Sequence, residues 1–437
     1  MRLADAFRSE RFGAVRIFEL QRVIELDSGV VADSAAADRS GSRVVAPADL
    51  RAIEAQMVIV IPCMNESRSV IEGVLSGIPH DCLIVLVSNS DRSPVDRYEI
   101  ETQTVEHFCR LASRDAITVH QRDPGLATAF AAAGMPELLD DDGLVRAGKG
   151  EAMLIGMAIA AMTGRRYIGY VDADNYVPGA VHEYCKAYAA GLHLADSPYA
   201  MVRISWRSKP KLRDGRLFFS RRGRSSEVTN EWLNRFLAEY SGFGTEVIAT
   251  GNAGEHALCL ELGMKLRLAG GFAVEPYEFV DLFEQFGGVL PSDHPEVMAS
   301  SVPVLQIETR NPHFHEHRGD EHVQGMRLQA LNAIYHSPVT LPAVRAAIVE
   351  FMTAAGALDV GREPPRQRVY PAVGTLDLRV LYDGLIAAAA GFRQFDCHPS
   401  QSPGRARRPT IDRAAIDSVA IPQPRGELTI VRPASAM

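Results

Sequence analysis

From Met57 onward the chain alternates short apolar runs with stretches of helical periodicity, and this pattern limits its fold more than any other feature. The runs are MVIVIP (57–62), CLIVLVSNS (82–90), AITVHQ (116–121) and YIGYVDAD (167–174). β-Branched runs of this length, separated by amphipathic helices, build βαβ units and hence a mostly parallel sheet flanked by helices. GEAMLIGMAIAAMTG (150–164) reads as a buried helix of small residues, and further helices are predicted near 179–191 and 227–241. A strand over 199–207 leads into a basic loop at 209–224. The second half carries VIATGNAGEHAL (247–258), a helix near 275–286, a strand at 302–310 and two helical patterns reaching about Gly356. The pattern divides the chain into an N-terminal segment packing on the core (1–56), the parallel-sheet domain (57–245), a mainly helical region (246–391) and a Pro- and Arg-rich tail (392–437) expected to be flexible.

At 437 residues one large α/β domain with an appended smaller region is expected. A formal net charge of −8 argues against a general nucleic-acid binder, which needs a broad cationic footprint. The six cysteines are scattered without a C-x-x-C pair, so they read as reduced thiols. The N-terminus shows no apolar leader and no run of about 18 apolar residues occurs, so a cytoplasmic protein with no membrane partner is expected.

In open α/β sheets ligands bind beyond the carboxyl ends of the strands, which directs attention to four strand ends. Asp172-Ala173-Asp174 leaves an apolar strand, and two carboxylates placed so repel unless a hard cation such as Mg²⁺ or Mn²⁺ relieves them. Helix capping is the plainer alternative. Asn311-Pro312-His313-Phe314-His315-Glu316-His317 follows a later strand; alternation puts His313, His315 and His317 on one side, suiting a metal site or a solvated polar cluster. His313, closest to the strand end, is the candidate to complete a metal shell. GLVRAGKGEAM (143–153) approaches a P-loop but has Gly150 where a Ser or Thr hydroxyl is required; what remains is a glycine-flanked helix start with Lys149 poised for an anion. Pro62, Cys63, Met64, Asn65 and Glu66 after the first strand, with Ser88, Asn89 and Ser90 after the second, suit a nucleotide cradle or simple helix capping. Thr250-Gly251-Asn252-Ala253-Gly254-Glu255-His256 is expected to open a helix whose free N–H groups receive an anion. Arg203, Arg207, Lys209 and Lys211 could assist there or form a solvated face.

Taken in order, VIPCMNE, VSNS, GLVRAGKGEAM, YVDADNYVPGA, TGNAGEHAL and ETRNPHFHEH resemble the mannosyl-3-phosphoglycerate synthase family, from about residue 10 to about residue 350. The resemblance implies a GT-A-type fold and a divalent-metal-dependent transfer of mannose, with retention, from GDP-mannose to the 2-hydroxyl of 3-phosphoglycerate. The product would be the precursor of the compatible solute mannosylglycerate. It assigns Pro62, Cys63, Asn65, Glu66, Ser88, Lys149, Asp172 and Ala173 to the donor, and Asp172, Asp174 and His313 to the metal. Thr250, Gly251, Asn252 and Ala253 would bind the acceptor. It makes 57–245 the nucleotide-sugar-binding domain and 246–391 the acceptor-binding region, and it implies a homodimer. The chain departs from the family's loop at Cys63-Met64, and it lacks an Asp-x-Asp-Gly-Thr phosphatase motif, so a separate phosphatase would follow.

The metal would stabilise charge developing on the leaving diphosphate. No sequence feature marks a carboxylate nucleophile, so front-face attack is favoured, with Glu255 as an alternative base. A glucosyl-3-phosphoglycerate synthase is the nearest rival. A metallohydrolase built on the histidines is weaker, since Gly319 removes an H-E-x-x-H reading from His315. A silent sugar-nucleotide sensor is the third.

Overall fold

The computed structural model describes residues 1–6, 8–27, 41–175, 177–213, 216–220, 224–313, 320–397 and 410–418. Four of the expected runs form adjacent parallel strands, Asp115–His120, Leu83–Ser88, Met57–Cys63 and Tyr167–Tyr170, in that spatial order. Register pairs Ile59 with Ile84 and Val60 with Val85, so apolar residues face both sides of the sheet. Both sides are covered, which is why these runs are continuous rather than alternating. Residues Met57 to Ile61 are essentially inaccessible.

Beyond Tyr167–Tyr170 the sheet continues through His256–Cys259, which is antiparallel to both neighbours, then Met201–Trp206 and its parallel partner Val302–Thr309. N-terminal strands complete it: Val15–Phe18 and Gln21–Glu25 both run parallel to Val302–Thr309. A single sheet of thirteen strands among the described residues therefore crosses the sequence boundaries drawn at 56 and 245.

The helix Lys149–Ala161 lies on one face of the parallel strands, and every residue from Gly150 to Ala161 is buried. Gly150, where the P-loop pattern fails, has a packing reason. A Cβ there would land on the Ala269 carbonyl oxygen, a backbone atom that cannot swing away. Gly150→Ala is therefore expected to cost about 1–3 kcal/mol by overpacking, read as a lowered urea midpoint with unchanged m.

Three local expectations are corrected. The Thr250–His256 segment opens a strand, not a helix, because His256–Cys259 is drawn between two strands that leave a slot of matching length. The basic segment forms a hairpin, Lys209–Arg213 with Arg216–Ser220, in place of a loop. The tail does not become flexible at 392. Arg393–Asp396 adds an antiparallel edge strand to Asp115–His120, and Ile416 of the Arg413–Ser418 helix is buried. Pairing with an otherwise open sheet edge orders a segment whose composition alone argues against structure. No described helix is long and apolar enough to cross a membrane.

Candidate active site

The carboxyl ends of the parallel strands open into a cavity of about 490 Å³. Pro62, Cys63 and Glu66 from the first strand end form one wall, and Asn89 and Gln121 follow from the next two. Asp172, Ala173 and Asp174 stand beside them, because strand pairing ends at Tyr170 and the chain turns, with the Asn175 N–H donating to the Asp172 carbonyl at 3.2 Å. The Lys149–Ala161 helix begins at this space, with Gly148 and Lys149 on the cavity wall and no side chain capping its start, so its positive end lies where anions would sit.

Lys149 fixes the electrostatics. Its Nζ lies 2.6 Å from Asp172 Oδ1 and 2.8 Å from Glu275 Oε1. Burial alone would lower its pKa, but Asp172 and Glu275 more than offset that, and the ammonium is held above its ordinary value. Glu275, on the helix Val274–Phe286, was not recognised from sequence. Its signal was present: Glu275, Glu278, Asp281 and Glu284 recur every three residues along an otherwise apolar helix, winding round it so that no single solvent-facing side can hold them all, and all four are buried.

The donor set fits a hard divalent ion. Asp172, Asp174 and His313 line the same cavity, two carboxylates and one imidazole. The His313 ring stacks on Trp206 with centroids 4.0 Å apart, and Tyr184 OH lies 3.3 Å from its Nδ1, so its orientation is set by its neighbours. Gly254 keeps the space at Asp172 open. A Cβ there would stand 2.6 Å from Asp172 Oδ2 and 2.9 Å from Lys149 Nζ. Among the described residues no three His, Cys, Asp or Glu side chains are already drawn into a coordinating cluster. His315 and His317 lie outside the described residues.

Several expected contacts fall elsewhere. Ser88 is fully buried beneath the loop, accepting from the Ser90 N–H at 3.2 Å, and Asn89 takes its place on the cavity wall. Asn65 has φ of 68° and turns away: its side-chain oxygen accepts from the Asp91 N–H at 3.0 Å, and its amide donates to the Asp91 carboxylate at 3.1 Å. It braces the strand-end loops against each other. Glu66 accepts from the Met64 N–H at 2.5 Å and from the Cys63 thiol at 3.2 Å. Burial, with Glu101 and Glu66 nearby, pushes the Cys63 thiol well up, so it serves as a proton donor and not as a nucleophile.

The segment expected to bind the acceptor is tied up internally. Thr250 Oγ1 donates to Gln306 Oε1 at 2.7 Å, the Gly251 N–H to Asn230 Oδ1 at 2.7 Å, and the Ala253 N–H to the Thr250 carbonyl at 3.1 Å. The expected row of free N–H groups is therefore not available from Gly251 or Ala253. Asn252 is the exception: it lines the cavity, and neither polar atom of its side chain has a hydrogen-bond partner. Arg203, expected as part of a basic run, is fully buried and not solvated.

Glu255 is also fully buried and does not line the cavity. Its Oε1 accepts from Asn175 Nδ2 at 2.6 Å, and the same amide reaches the Asp172 carbonyl at 3.2 Å, so Glu255 holds the Asp172–Asn175 turn from behind. Burial, reinforced by Asp172, raises its pKa to about 8, and a neutral carboxyl fills this role at neutral pH. The isosteric Glu255→Gln is accordingly expected to keep turnover within about threefold, and Glu255→Ala to lose more by loosening the turn. A base role predicts a loss of about 10²–10⁴ in both variants, and steady-state turnover separates the two.

A solved structure of glucosyl-3-phosphoglycerate synthase from Mycobacterium tuberculosis, with Mn²⁺, uridine-diphosphate-glucose and glycerol 3-phosphate, aligns with a TM-score of 0.46. It is 18% identical and covers 76% of this chain and 95% of that one. The family model for mannosyl-3-phosphoglycerate synthase matches residues 6–385. The Pyrococcus furiosus mannosyl-3-phosphoglycerate synthase is 43% identical over 370 residues, 84% of this chain and 93% of the relative. That of Aeropyrum pernix is 36% identical over 395 residues, 89% of this chain and 98% of the relative. With both the family pattern and two long, well-covered relatives in agreement, the chain belongs to the mannosyl-3-phosphoglycerate synthase family.

Proposed function

We propose that this protein transfers mannose, with retention, from GDP-mannose to the 2-hydroxyl of 3-phosphoglycerate. The observation that carries the reading is the convergence of Asp172, Asp174, His313, Lys149 and Asn252 on one cavity at the strand ends, in a chain of this family. Asp172, Asp174 and His313 would hold a divalent ion, which would supply Lewis-acid stabilisation to the departing diphosphate. Lys149, kept charged between Asp172 and Glu275, adds a fixed positive charge on the same wall, already oriented before the donor arrives. The Lys149–Ala161 helix start contributes its N-terminal N–H groups in the same direction.

Asn252 offers both an amide donor and a carbonyl acceptor to the second substrate, and binding removes the cost of leaving them unpaired. Retention is assigned to front-face attack. The acceptor oxygen bonds to the anomeric carbon as the bond from that carbon to the diphosphate oxygen breaks, and that oxygen takes the hydroxyl proton. The side chains supply position and electrostatics. Because the acceptor's phosphate survives transfer, a separate phosphatase is the reaction that consumes the product.

A donor panel tests the reading. With 3-phosphoglycerate, GDP-mannose is expected to give a hexosylated phosphoglycerate by mass and to outcompete UDP-glucose and GDP-glucose. Preference for a glucose donor would transfer the assignment to glucosyl-3-phosphoglycerate synthesis. No transfer from any donor would remove it.

A further inference from the structure

Among the four buried acids of the Val274–Phe286 helix, Glu275 reaches the cavity while Asp281 and Glu284 pair with Arg267 at the far end. Glu278 does neither. Its carboxylate is wholly inaccessible, and it faces two basic side chains at once, Arg203 Nη1 at 2.5 Å and His256 Nε2 at 2.9 Å. The histidine contact is close enough for an ion pair but is not aligned as a hydrogen bond. Burial would raise the Glu278 pKa, yet His256 and Arg203 hold it below the usual carboxylate range.

What these two side chains do with their remaining donors links Glu278 to the second substrate. Arg203 Nε donates to the Thr250 carbonyl at 3.0 Å, and Nη2 reaches the Gly251 carbonyl at 3.4 Å and the Glu275 carbonyl at 2.9 Å. His256 Nδ1 lies 3.0 Å from the Ala253 carbonyl. Three of the four carbonyls in Thr250–Ala253 are thus gripped from behind by side chains that share Glu278 as their anionic partner. The fourth residue, Asn252, lines the cavity, and both polar atoms of its side chain are buried at that wall with no partner of their own. The Gly251 N–H is secured separately by Asn230, and Thr250 Oγ1 by Gln306, so the loop is anchored around Asn252 on several sides.

We infer that Glu278 is a positioning residue for the acceptor: through Arg203 and His256 it sets the Thr250–Ala253 loop so that Asn252 meets a small anionic hydroxy acid. The inference rests on the acceptor reading given above. A buried polar cluster of this kind could be replaced by apolar packing if shape were all that mattered. Here Arg203 and His256 each also reach a backbone carbonyl of the loop, and Asn252 is the one residue of the loop whose side chain is left uncommitted.

Steady-state kinetics of the full-length enzyme test it, with 3-phosphoglycerate and GDP-mannose varied separately and GDP binding followed by calorimetry. Glu278→Gln keeps the shape and removes the charge. It is expected to raise the KM for 3-phosphoglycerate about tenfold or more, since small displacements of a binding group carry large kinetic penalties, while GDP affinity stays within about twofold. Glu278→Asp is expected to restore part of the acceptor KM. Should Glu278→Gln fail to fold, His256→Gln decides: it removes the grip on the Ala253 carbonyl, leaves the Arg203–Glu278 pair in place, and is expected to raise the acceptor KM several-fold alone. An acceptor KM unchanged in the folded variants, or acceptor and GDP affinity falling together, overturns the inference. A wild-type enzyme that transfers nothing to 3-phosphoglycerate overturns instead the functional reading on which it rests.

Discussion

Asp174→Asn is expected to lower kcat by about 10³ while leaving the fold intact. Asp174 sits at the end of the Asp172–Asn175 turn, half-buried on the cavity wall, and its carboxylate is one of the oxygen donors assigned to the divalent ion. An amide binds such an ion far more weakly than a carboxylate, so stabilisation of the developing diphosphate charge is lost; removing one electrostatic group of this kind costs about 10²–10³ in turnover, and weakened metal binding adds to it. Stability should move the other way or not at all. Asp174 adds negative charge close to Asp172 and to the buried Glu255, whose pKa both aspartates raise. Urea unfolding of the metal-free variant within about 1 kcal/mol of the parent, alongside the collapse in kcat, fits this account. A comparable loss of stability would mean that Asp174 is a structural residue.

The largest expected effect on stability belongs to Arg203→Met. Arg203 is completely buried on the Met201–Trp206 strand, pairs with Glu278, and donates to the Thr250 and Glu275 carbonyls. Its removal leaves Glu278 with only the off-axis His256 contact at a fully buried position, and breaking one partner out of a buried pair typically costs about 3–5 kcal/mol. Removing both partners should be less severe than the sum. Arg203→Met combined with Glu278→Leu is expected to recover about 1–3 kcal/mol relative to additivity, measured as a double-mutant cycle in urea. Additive single effects would show that the pair is not coupled.

The parallel half of the sheet could be read from sequence because its strands are buried on both faces, leaving near-continuous apolar runs such as MVIVI. The strand-end chemistry was equally plain. Asp172 and Asp174 are charged residues placed where an apolar strand stops, Lys149 stands where an apolar helix starts, and all three meet at one cavity. His256–Cys259 was not readable, because a four-residue strand beginning with histidine has no period of its own and is defined by the strands on either side. Arg393–Asp396 is the same case at the sheet edge: RQFD becomes a strand through pairing with Asp115–His120, nearly 280 residues away in the chain. The acidic residues of Val274–Phe286 were visible as a three-residue repeat, yet a row of acids ordinarily marks a solvated face. Their partners Lys149, Arg203 and His256 come from other elements, and only tertiary structure brings them together. Asn65 and Ser88 were correctly placed at strand ends, but local hydrogen bonding turned one side chain onto Asp91 and buried the other.

The most direct test of the account is product formation by the wild-type enzyme from GDP-mannose and 3-phosphoglycerate, followed before EDTA, after EDTA, and after Mg²⁺ or Mn²⁺ is returned in excess. The account predicts a mannosylated phosphoglycerate that stops forming with the chelator and resumes with the metal, and the same experiment on Asp174→Asn should show little product throughout. Transfer that continues undiminished in EDTA, or no transfer under any of these conditions, would contradict it.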